Sequence, residues 1–184
     1  MTLVEHYRIF AEKNGGFFQA KKTPPNMGFG SWLIFIITIP YKDGEIEFVL
    51  SESSPMKISY YFHSDLQLEF LIYPIDWLDR IGNLFKEKEF KTGNAVFDNH
   101  FKVYHNDMDF ITNILDNKIQ EYLLSINDEI SNFRLNTEKS KSKWSILELN
   151  APFDDTNLPK IEKTIEFLKY VVDNINCYLN KRVF

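Results

Sequence analysis

Two of the chain's four histidines and three aspartates lie close together in one segment, Gly93–Phe110, with the sequence GNAVFDNHFKVYHNDMDF. Imidazole and carboxylate groups are common zinc ligands and general acid–base groups, so the segment could hold a metal or a catalytic site. Residues His100 to His105 are predicted to form a strand, in which successive side chains point to opposite faces. The two histidines then lie on opposite faces and cannot converge on one ion. The spacing therefore argues against a metal site.

The acidic and amide side chains of the same segment have structural roles instead. Asp98 and Asn99 lie where a turn enters the strand, and such side chains hydrogen-bond to the local backbone. Asn106 or Asp107 is positioned to cap the helix that follows. Asp109 then lies in the positive first turn of that helix. We therefore interpret the segment as a turn, a strand and a helix cap.

The other residues with chemical potential do not form a recognisable catalytic pattern. Gly28–Ser31, GFGS, resembles a phosphate loop but precedes a strand, so it presents no helix N-terminus to an anion. Cys177 lies near the end of an apolar helical stripe and is interpreted as a small packed side chain. His6 and His63 have no motif around them. The sequence predicts no catalytic, cofactor-binding or metal-binding residues, and it leans against an enzyme.

Alternation and turn signals predict an N-terminal helix followed by an antiparallel meander of about four strands. Thr2 and Glu5 form a capping box for the helix, and Gly15–Gly16 ends it. The first strand is apolar on both faces and is expected to be central and fully covered, so that Ile36→Asp and Ile37→Asp would both prevent folding. The four strands are predicted at Trp32–Tyr41, Glu45–Leu50, Met56–Phe62 and Leu66–Tyr73.

Three further helices, a strand and a hairpin complete the predicted order α-ββββ-α-β-α-ββ-α. The last helix repeats apolar residues every three or four positions from Leu158 to Leu179, and its wide apolar face favours packing on a sheet over a dimer seam. The fold class is therefore α+β: one domain, residues 1–184, with an antiparallel sheet of about six to seven strands and the helices mainly on one face. The remaining elements are helices at Pro74–Phe85 and Met108–Ile126, a strand at His100–His105, and a hairpin of Phe133–Leu135 with Trp144–Leu149.

Charge and composition restrict the partner and the compartment. The net charge of −5 and the pI of about 5.4 argue against a nucleic-acid partner, because an acidic protein repels the phosphate backbone. The lysine-rich stretch Glu138–Trp144 is interpreted as a solvated hairpin loop. The single cysteine excludes an intrachain disulfide, the start of the chain does not resemble a signal peptide, and the apolar run WLIFIITI is too short to span a membrane. We expect a soluble cytoplasmic protein, monomeric or weakly dimeric.

Phe90–Leu124, which begins FKTGNAVFDNHFKVYHND, resembles an uncharacterised bacterial domain-of-unknown-function family. In that family a Phe-Asp-x-x-Phe-x-Val strand entry precedes a helix, a hairpin and a last helix. Phe97, Asp98, Phe101 and Val103 match this motif. The resemblance covers roughly the C-terminal half and implies the same order of elements there. The family has no established activity, so no site residue follows from it.

Three classes of function remain open. A non-catalytic protein-interaction domain is favoured, because no catalytic motif is present and the fold is acidic and rich in aromatic residues. The first alternative is a domain that binds a small apolar ligand, since 17 Phe and 3 Trp could line a cavity between sheet and helices. The second alternative is an enzyme whose site is assembled from scattered residues without a motif.

The opposed faces of His100 and His105 predict that the protein is indifferent to metal ions. Incubation with a chelator should leave the melting temperature unchanged, and the purified protein should carry no bound zinc. A melting temperature lowered by several degrees, or zinc in stoichiometric amount, would contradict this prediction.

Overall fold

The computed structural model describes residues 2–22, 33–51, 54–63, 67–75, 89–137, 144–151 and 158–182. Within these ranges nine strands form one sheet, accompanied by five α-helices. The strands are β1 Phe17–Lys22, β2 Leu33–Tyr41, β3 Gly44–Ser51, β4 Ser54–His63, β5 Phe70–Pro74, β6 Glu89–Phe90, β7 Phe101–His105, β8 Asn132–Thr137 and β9 Trp144–Ala151. The helices are α1 Leu3–Lys13, α2 Ala95–His100, α3 Met108–Ile114, α4 Asn117–Ser125 and α5 Leu158–Arg182.

The strands lie in the order β1-β2-β3-β4-β9-β8-β5-β7-β6, and all neighbouring pairs are antiparallel. The predicted α+β class with an antiparallel sheet is confirmed. The predicted count of six to seven strands is wrong, because β1 and β6 add to the sheet. The predicted meander is also wrong at its last step, since the hairpin β8–β9 lies between β4 and β5.

One face of the sheet is apolar from edge to edge. Residues that face each other on neighbouring strands share a face, so the register defines rows of side chains across the sheet. The central row of this inner face contains one apolar residue from every strand: Phe18, Ile37, Phe48, Ile58, Leu149, Phe133, Ile72, Val103 and Phe90. All of them are buried except the two at the sheet edges, which are partly buried. This row is the base of the hydrophobic core.

Helices α1, α2 and α5 pack on the inner face. Tyr7 of α1 contacts Phe35 of β2 at 5.8 Å between ring centroids, and Phe97 of α2 stacks on Phe101 at 4.9 Å. Phe167 of α5 lies 5.5 Å from the ring of Phe133. The prediction that the last helix packs within its own chain is confirmed by its buried residues: Ile161, Thr164, Ile165, Phe167, Leu168, Val171, Val172, Ile175 and Tyr178.

Local signals at helix ends are confirmed where the structure describes them. Thr2 and Glu5 form the capping box of α1, and Gly15 ends the helix with a φ of 71° that favours glycine. Asp107 accepts a hydrogen bond of 2.8 Å from the backbone N–H of Phe110 and so caps α3. It was one of the two caps predicted there.

The predicted helix Met108–Ile126 is wrong, because the chain forms two helices instead of one. Its apolar spacing continues through the break, so periodicity gave no warning. Asp116 accepts a hydrogen bond of 2.9 Å from the backbone N–H of Ile119 and starts α4 as a new helix. The predicted strand at His100–His105 is also shorter than expected. His100 belongs to α2, which Asn94 caps, and the strand begins at Phe101.

The prediction that the first apolar strand is central and fully covered is wrong. The strand is β2, second from the edge of the sheet. Its inner face is buried at Ile37, whereas Ile36 lies on the outer face and is half-buried. The predicted helix Pro74–Phe85 lies outside the described residues apart from its start, where Pro74 ends β5. Gly28–Ser31 and residues 138–143 of the lysine loop also lie outside them.

The two faces of β2 predict different effects for two neighbouring substitutions. Ile37→Asp places a carboxylate at a fully buried position of the inner-face row, which costs several kcal/mol and should prevent folding. Ile36→Asp is the matched control, because its carboxylate can reach solvent from the outer face. Urea denaturation followed by circular dichroism should show a cooperative transition for the control alone. Equal loss of folding in both variants would contradict this assignment of faces.

Candidate functional site

A groove between α4 and α5 is a candidate binding surface in the described part of the chain. Its volume is about 350 Å³. The groove has an aromatic floor and a charged rim. Its lining residues are Lys118, Glu121, Tyr122, Ser125, Lys163, Glu166, Phe167 and Tyr170. We call this surface the α4–α5 groove.

The floor of the α4–α5 groove is a stacked pair of rings. Tyr122 and Phe167 lie 3.9 Å apart between centroids with an interplanar angle of 11°. The hydroxyl of Tyr122 donates a hydrogen bond of 2.8 Å to Oγ1 of the buried Thr164. Burial raises the pKa of Tyr122 to about 12, although the bond to Thr164 acts in the opposite direction. The hydroxyl is therefore protonated at neutral pH and serves to fix the ring.

The third ring is fixed from the start of α4. The hydroxyl of Tyr170 donates to Oδ2 of Asp116, and the amide of Asn174 donates to the same oxygen at 3.3 Å. The bond to Asp116 raises the pKa of the Tyr170 hydroxyl, and burial acts in the same direction. Because Asp116 also caps α4, one carboxylate sets both the start of α4 and its attachment to α5.

Two lysines, one from each helix, extend across the groove to an aromatic ring of the opposite helix. Nζ of Lys118, on α4, lies 3.8 Å from the ring centroid of Tyr170 on α5. Nζ of Lys163, on α5, lies 5.7 Å from the ring centroid of Tyr122 on α4. In the described part of the chain neither ammonium has a carboxylate oxygen within 4 Å. Glu166, which also lines the groove, pairs with Lys169 at 2.8 Å instead of with Lys163. The two groove lysines therefore interact with rings and keep their charges unpaired.

A second groove lies beside the turn between β2 and β3. Lys42 lies in this turn with a φ of 52°. Its Nζ lies 3.2 Å from Oδ1 of Asp173 on α5. The hydroxyl of Tyr41 donates to the same carboxylate at 3.0 Å, and burial raises the pKa of Tyr41 to about 12. Cys177 lines this groove and is exposed, so the prediction of a packed cysteine is wrong. It follows the buried Ile175 by two positions, which turns it to the other side of the helix.

The outer face of the sheet carries a buried carboxylate at its centre. Glu148 of β9 is 3% exposed. It pairs with Lys57 of β4, and its Oε1 accepts from Nη2 of Arg134 on β8 and from the amide of Asn150, both at 2.8 Å. Burial alone would raise the pKa of Glu148, but the bonds from Lys57 and Asn150 and the charge of Arg134 hold it below 4.5. The neighbouring hydroxyl of Ser59 is buried and has no hydrogen-bond partner among the described residues.

The histidines of Gly93–Phe110 do not meet. Nδ1 of His100 lies 2.8 Å from the carbonyl oxygen of Val96 in its own helix. His105, at the end of β7, packs edge-on against Phe90 at 5.6 Å, and its Nδ1 has no hydrogen-bond partner within the part of the chain that the structure describes. His6 lies apart on α1. The described residues contain no group of three or more His, Cys, Asp or Glu side chains that could hold a metal ion.

Asp98, which was predicted to bond the local backbone from a turn, does bond the local backbone, but it lies within α2. Oδ1 of Asp98 accepts from the backbone N–H of Thr92 at 2.9 Å, and Oδ2 accepts from that of Gly93 at 3.1 Å. Gly93 has a φ of 83°, which this tight loop requires. Asp98 therefore fastens the loop that enters α2.

Sequence reasoning did not identify the α4–α5 groove. Apolar periodicity places Tyr122, Phe167 and Tyr170 on the apolar faces of two helices and Lys163 on a solvated face, so it does not indicate a groove. The available signal was a lysine four residues before an aromatic residue on each helix: Lys118 and Tyr122, and Lys163 and Phe167. This spacing places a cation and a ring on the same face.

The described residues define a protein of the α+β class, in which they form a nine-stranded antiparallel sheet and an aromatic groove between two helices. No family model matches the chain, and a search of curated proteins finds no match. The fold is similar to the crystal structure of the mycobacterial trehalose monomycolate transport factor A, TtfA, with a TM-score of 0.53 and 8% identity over 94% of this chain and 96% of that one. This likeness concerns the fold alone. None of the described helices is long and apolar enough to cross a membrane.

The Glu148 cluster predicts how stability depends on pH. Glu148→Gln should lower the free energy of unfolding at pH 7 by about 1–3 kcal/mol, because charge-assisted bonds are lost while Lys57 and Arg134 can still reach water. Since the pKa of Glu148 is lowered on folding, the wild type has this stabilisation above pH 4.5 and loses it as the pH falls through the folded-state pKa.

Urea denaturation at several pH values measures the effect. The difference in the free energy of unfolding between the wild type and Glu148→Gln should shrink at acidic pH, because Glu148 becomes protonated there. A difference that stays constant down to pH values well below 4.5 would contradict the assignment.

Proposed function

We propose that the protein is a non-catalytic protein-interaction domain that binds its partner through the α4–α5 groove. The observation that carries this proposal is the stacked pair Tyr122 and Phe167 at the bottom of an open groove with two unpaired ammonium groups on its rim. Aromatic residues dominate binding energy at protein interfaces when they sit in a pocket surrounded by polar groups. The groove has this arrangement.

The chemistry of the groove supports binding more than catalysis. Its tyrosine hydroxyls are engaged by Thr164 and Asp116, and their raised pKa values keep them protonated at neutral pH. A nucleophile or general base needs a pKa near the working pH and access to a substrate proton. Neither hydroxyl meets this condition, so the rings serve as contact surface.

A small ligand is the second candidate, and the size of the groove favours it. A volume of about 350 Å³ lies within the range of small-molecule sites. The ligand would then bind between α4 and α5 and not between sheet and helices, where the sequence had placed the cavity. A protein partner remains the favoured candidate, because the charged side chains at the rim of the groove are exposed and can contact a large partner.

The proposal includes the remaining expectations from the sequence. The location is cytoplasmic, which the single exposed cysteine supports, since the chain cannot form an intrachain disulfide. The acidic net charge supports a partner other than nucleic acid. The state is a monomer or a weak homodimer. The bacterial family with the Phe-Asp-x-x-Phe-x-Val motif is the proposed relationship.

Photo-crosslinking in cells of the source organism tests the proposal. A photoreactive amino acid at position Glu121, on the groove rim, should give one discrete adduct with another protein. The same amino acid at Glu12, on the exposed side of α1, is the control and should not give this adduct. Equal adducts at both positions would contradict the proposal. A small molecule retained in the native mass spectrum, with no protein adduct at Glu121, would favour the second candidate.

A further inference from the structure

We infer, on the basis of the proposed function, that the partner of the α4–α5 groove is an acidic peptide segment with a large apolar side chain next to its carboxylates. The carboxylates bind Lys118 and Lys163, and the apolar side chain packs on Tyr122 and Phe167. Three features of the described residues lead to this class of partner.

The first feature is the placement of the two ammonium groups. Each groove lysine precedes a glutamate by three residues on its own helix, Glu121 and Glu166 respectively, a spacing at which ion pairs form. Neither pair forms in the described part of the chain, and each ammonium lies over a ring of the opposite helix instead. An ammonium over a ring keeps donors directed away from the ring. Those donors are available to a carboxylate that enters the groove.

The second feature is the charge balance at the rim. Glu166 is engaged by Lys169 at 2.8 Å, so its charge is locally compensated. Asp116 is engaged by Tyr170 and Asn174 below the rim. Among the described residues the rim therefore presents two uncompensated positive charges against one uncompensated carboxylate, that of Glu121. Although the whole chain has a net charge of −5, this groove attracts an acidic ligand.

The third feature is the apolar floor. An apolar groove with a few polar groups at its edge is typical of a binding site. The partly buried ring of Tyr122 and the buried ring of Phe167 stack on each other and line the floor, and a volume of about 350 Å³ accommodates one or two large side chains. A leucine or phenylalanine beside aspartates would fill the floor and reach the rim at the same time.

Synthetic 12-residue peptides with a fluorescent label test the inference. The acidic set carries two aspartates on each side of a central Phe, Leu or Trp, a second set replaces the aspartates by asparagine, and a third replaces the central residue by alanine. In fluorescence polarisation the acidic set should bind at least about tenfold more tightly than the other two. The affinity should fall as ionic strength rises, because the contacts are electrostatic.

Matched variants locate the contact. Lys118→Glu/Lys163→Glu should weaken binding of the acidic set at least about tenfold, and Lys118→Arg/Lys163→Arg should retain it. Lys21→Glu/Lys181→Glu makes the same change in net charge at exposed positions outside the groove and should bind like the wild type. Ser125→Trp should block the groove without altering either lysine. Thermal melting confirms that each variant is folded.

The outcomes separate this inference from the proposed function. If Ser125→Trp blocks binding but the asparagine peptides bind as tightly as the acidic set, the acidic class is wrong while the groove remains an interaction site. If the acidic set binds and neither the lysine variants nor Ser125→Trp alters it, the inference is overturned. Failure of every peptide to bind at about 1 mM also overturns it. The proposed function itself fails only if the crosslink at Glu121 gives no specific protein adduct.

Discussion

The pairing of β4 with β9 is the constraint on which the rest of the structure depends. It joins the N-terminal meander to the hairpin β8–β9, from Met56 opposite Ala151 to His63 opposite Trp144. A shift by one residue would exchange the two faces of a strand, so this register must be specified strongly. Glu148 specifies it from the outer face, because its carboxylate meets Lys57 on one neighbouring strand and Arg134 on the other. In a slipped register the same charge would enter the apolar core.

The groove between α4 and α5 follows from this sheet. Once β9 and β8 extend the inner face, α5 covers it, and Phe167 reaches Phe133 in the centre of the core row. The other side of Phe167 then faces Tyr122 of α4. The helix break at Asp116 sets the position of α4 against α5, since this carboxylate caps one helix and binds Tyr170 of the other. The groove is thus defined by core packing below and by one capping residue at its end.

Much of the local structure was predictable, and the long-range order was not. Capping boxes, alternating strands and the three-to-four spacing of α5 are short-range signals, and they identified α1, β2 to β4, the β8–β9 hairpin and α5. Strand β1 was missed because FFQAKK does not alternate clearly. The insertion of the hairpin between β4 and β5 was missed because strand order depends on pairing between residues roughly 90 positions apart. No local signal in either strand specifies its partner.

The site was harder to predict than the fold, because its residues have two plausible roles. A lysine placed three residues before a glutamate predicts a pair within the helix that stabilises it by about 0.2–0.5 kcal/mol. An ammonium over an aromatic ring contributes about 0.5–1 kcal/mol at an exposed site. The contact with the ring is therefore more favourable than the ion pair within the helix once the fold brings the ring close. At Lys118 and Lys163 the rings belong to the opposite helix, and only tertiary structure supplies them. Because each ammonium prefers a ring of the opposite helix, the groove cannot be recognised from either helix alone. In the described structure the same preference leaves both lysines without a carboxylate, so they can bind an acidic partner.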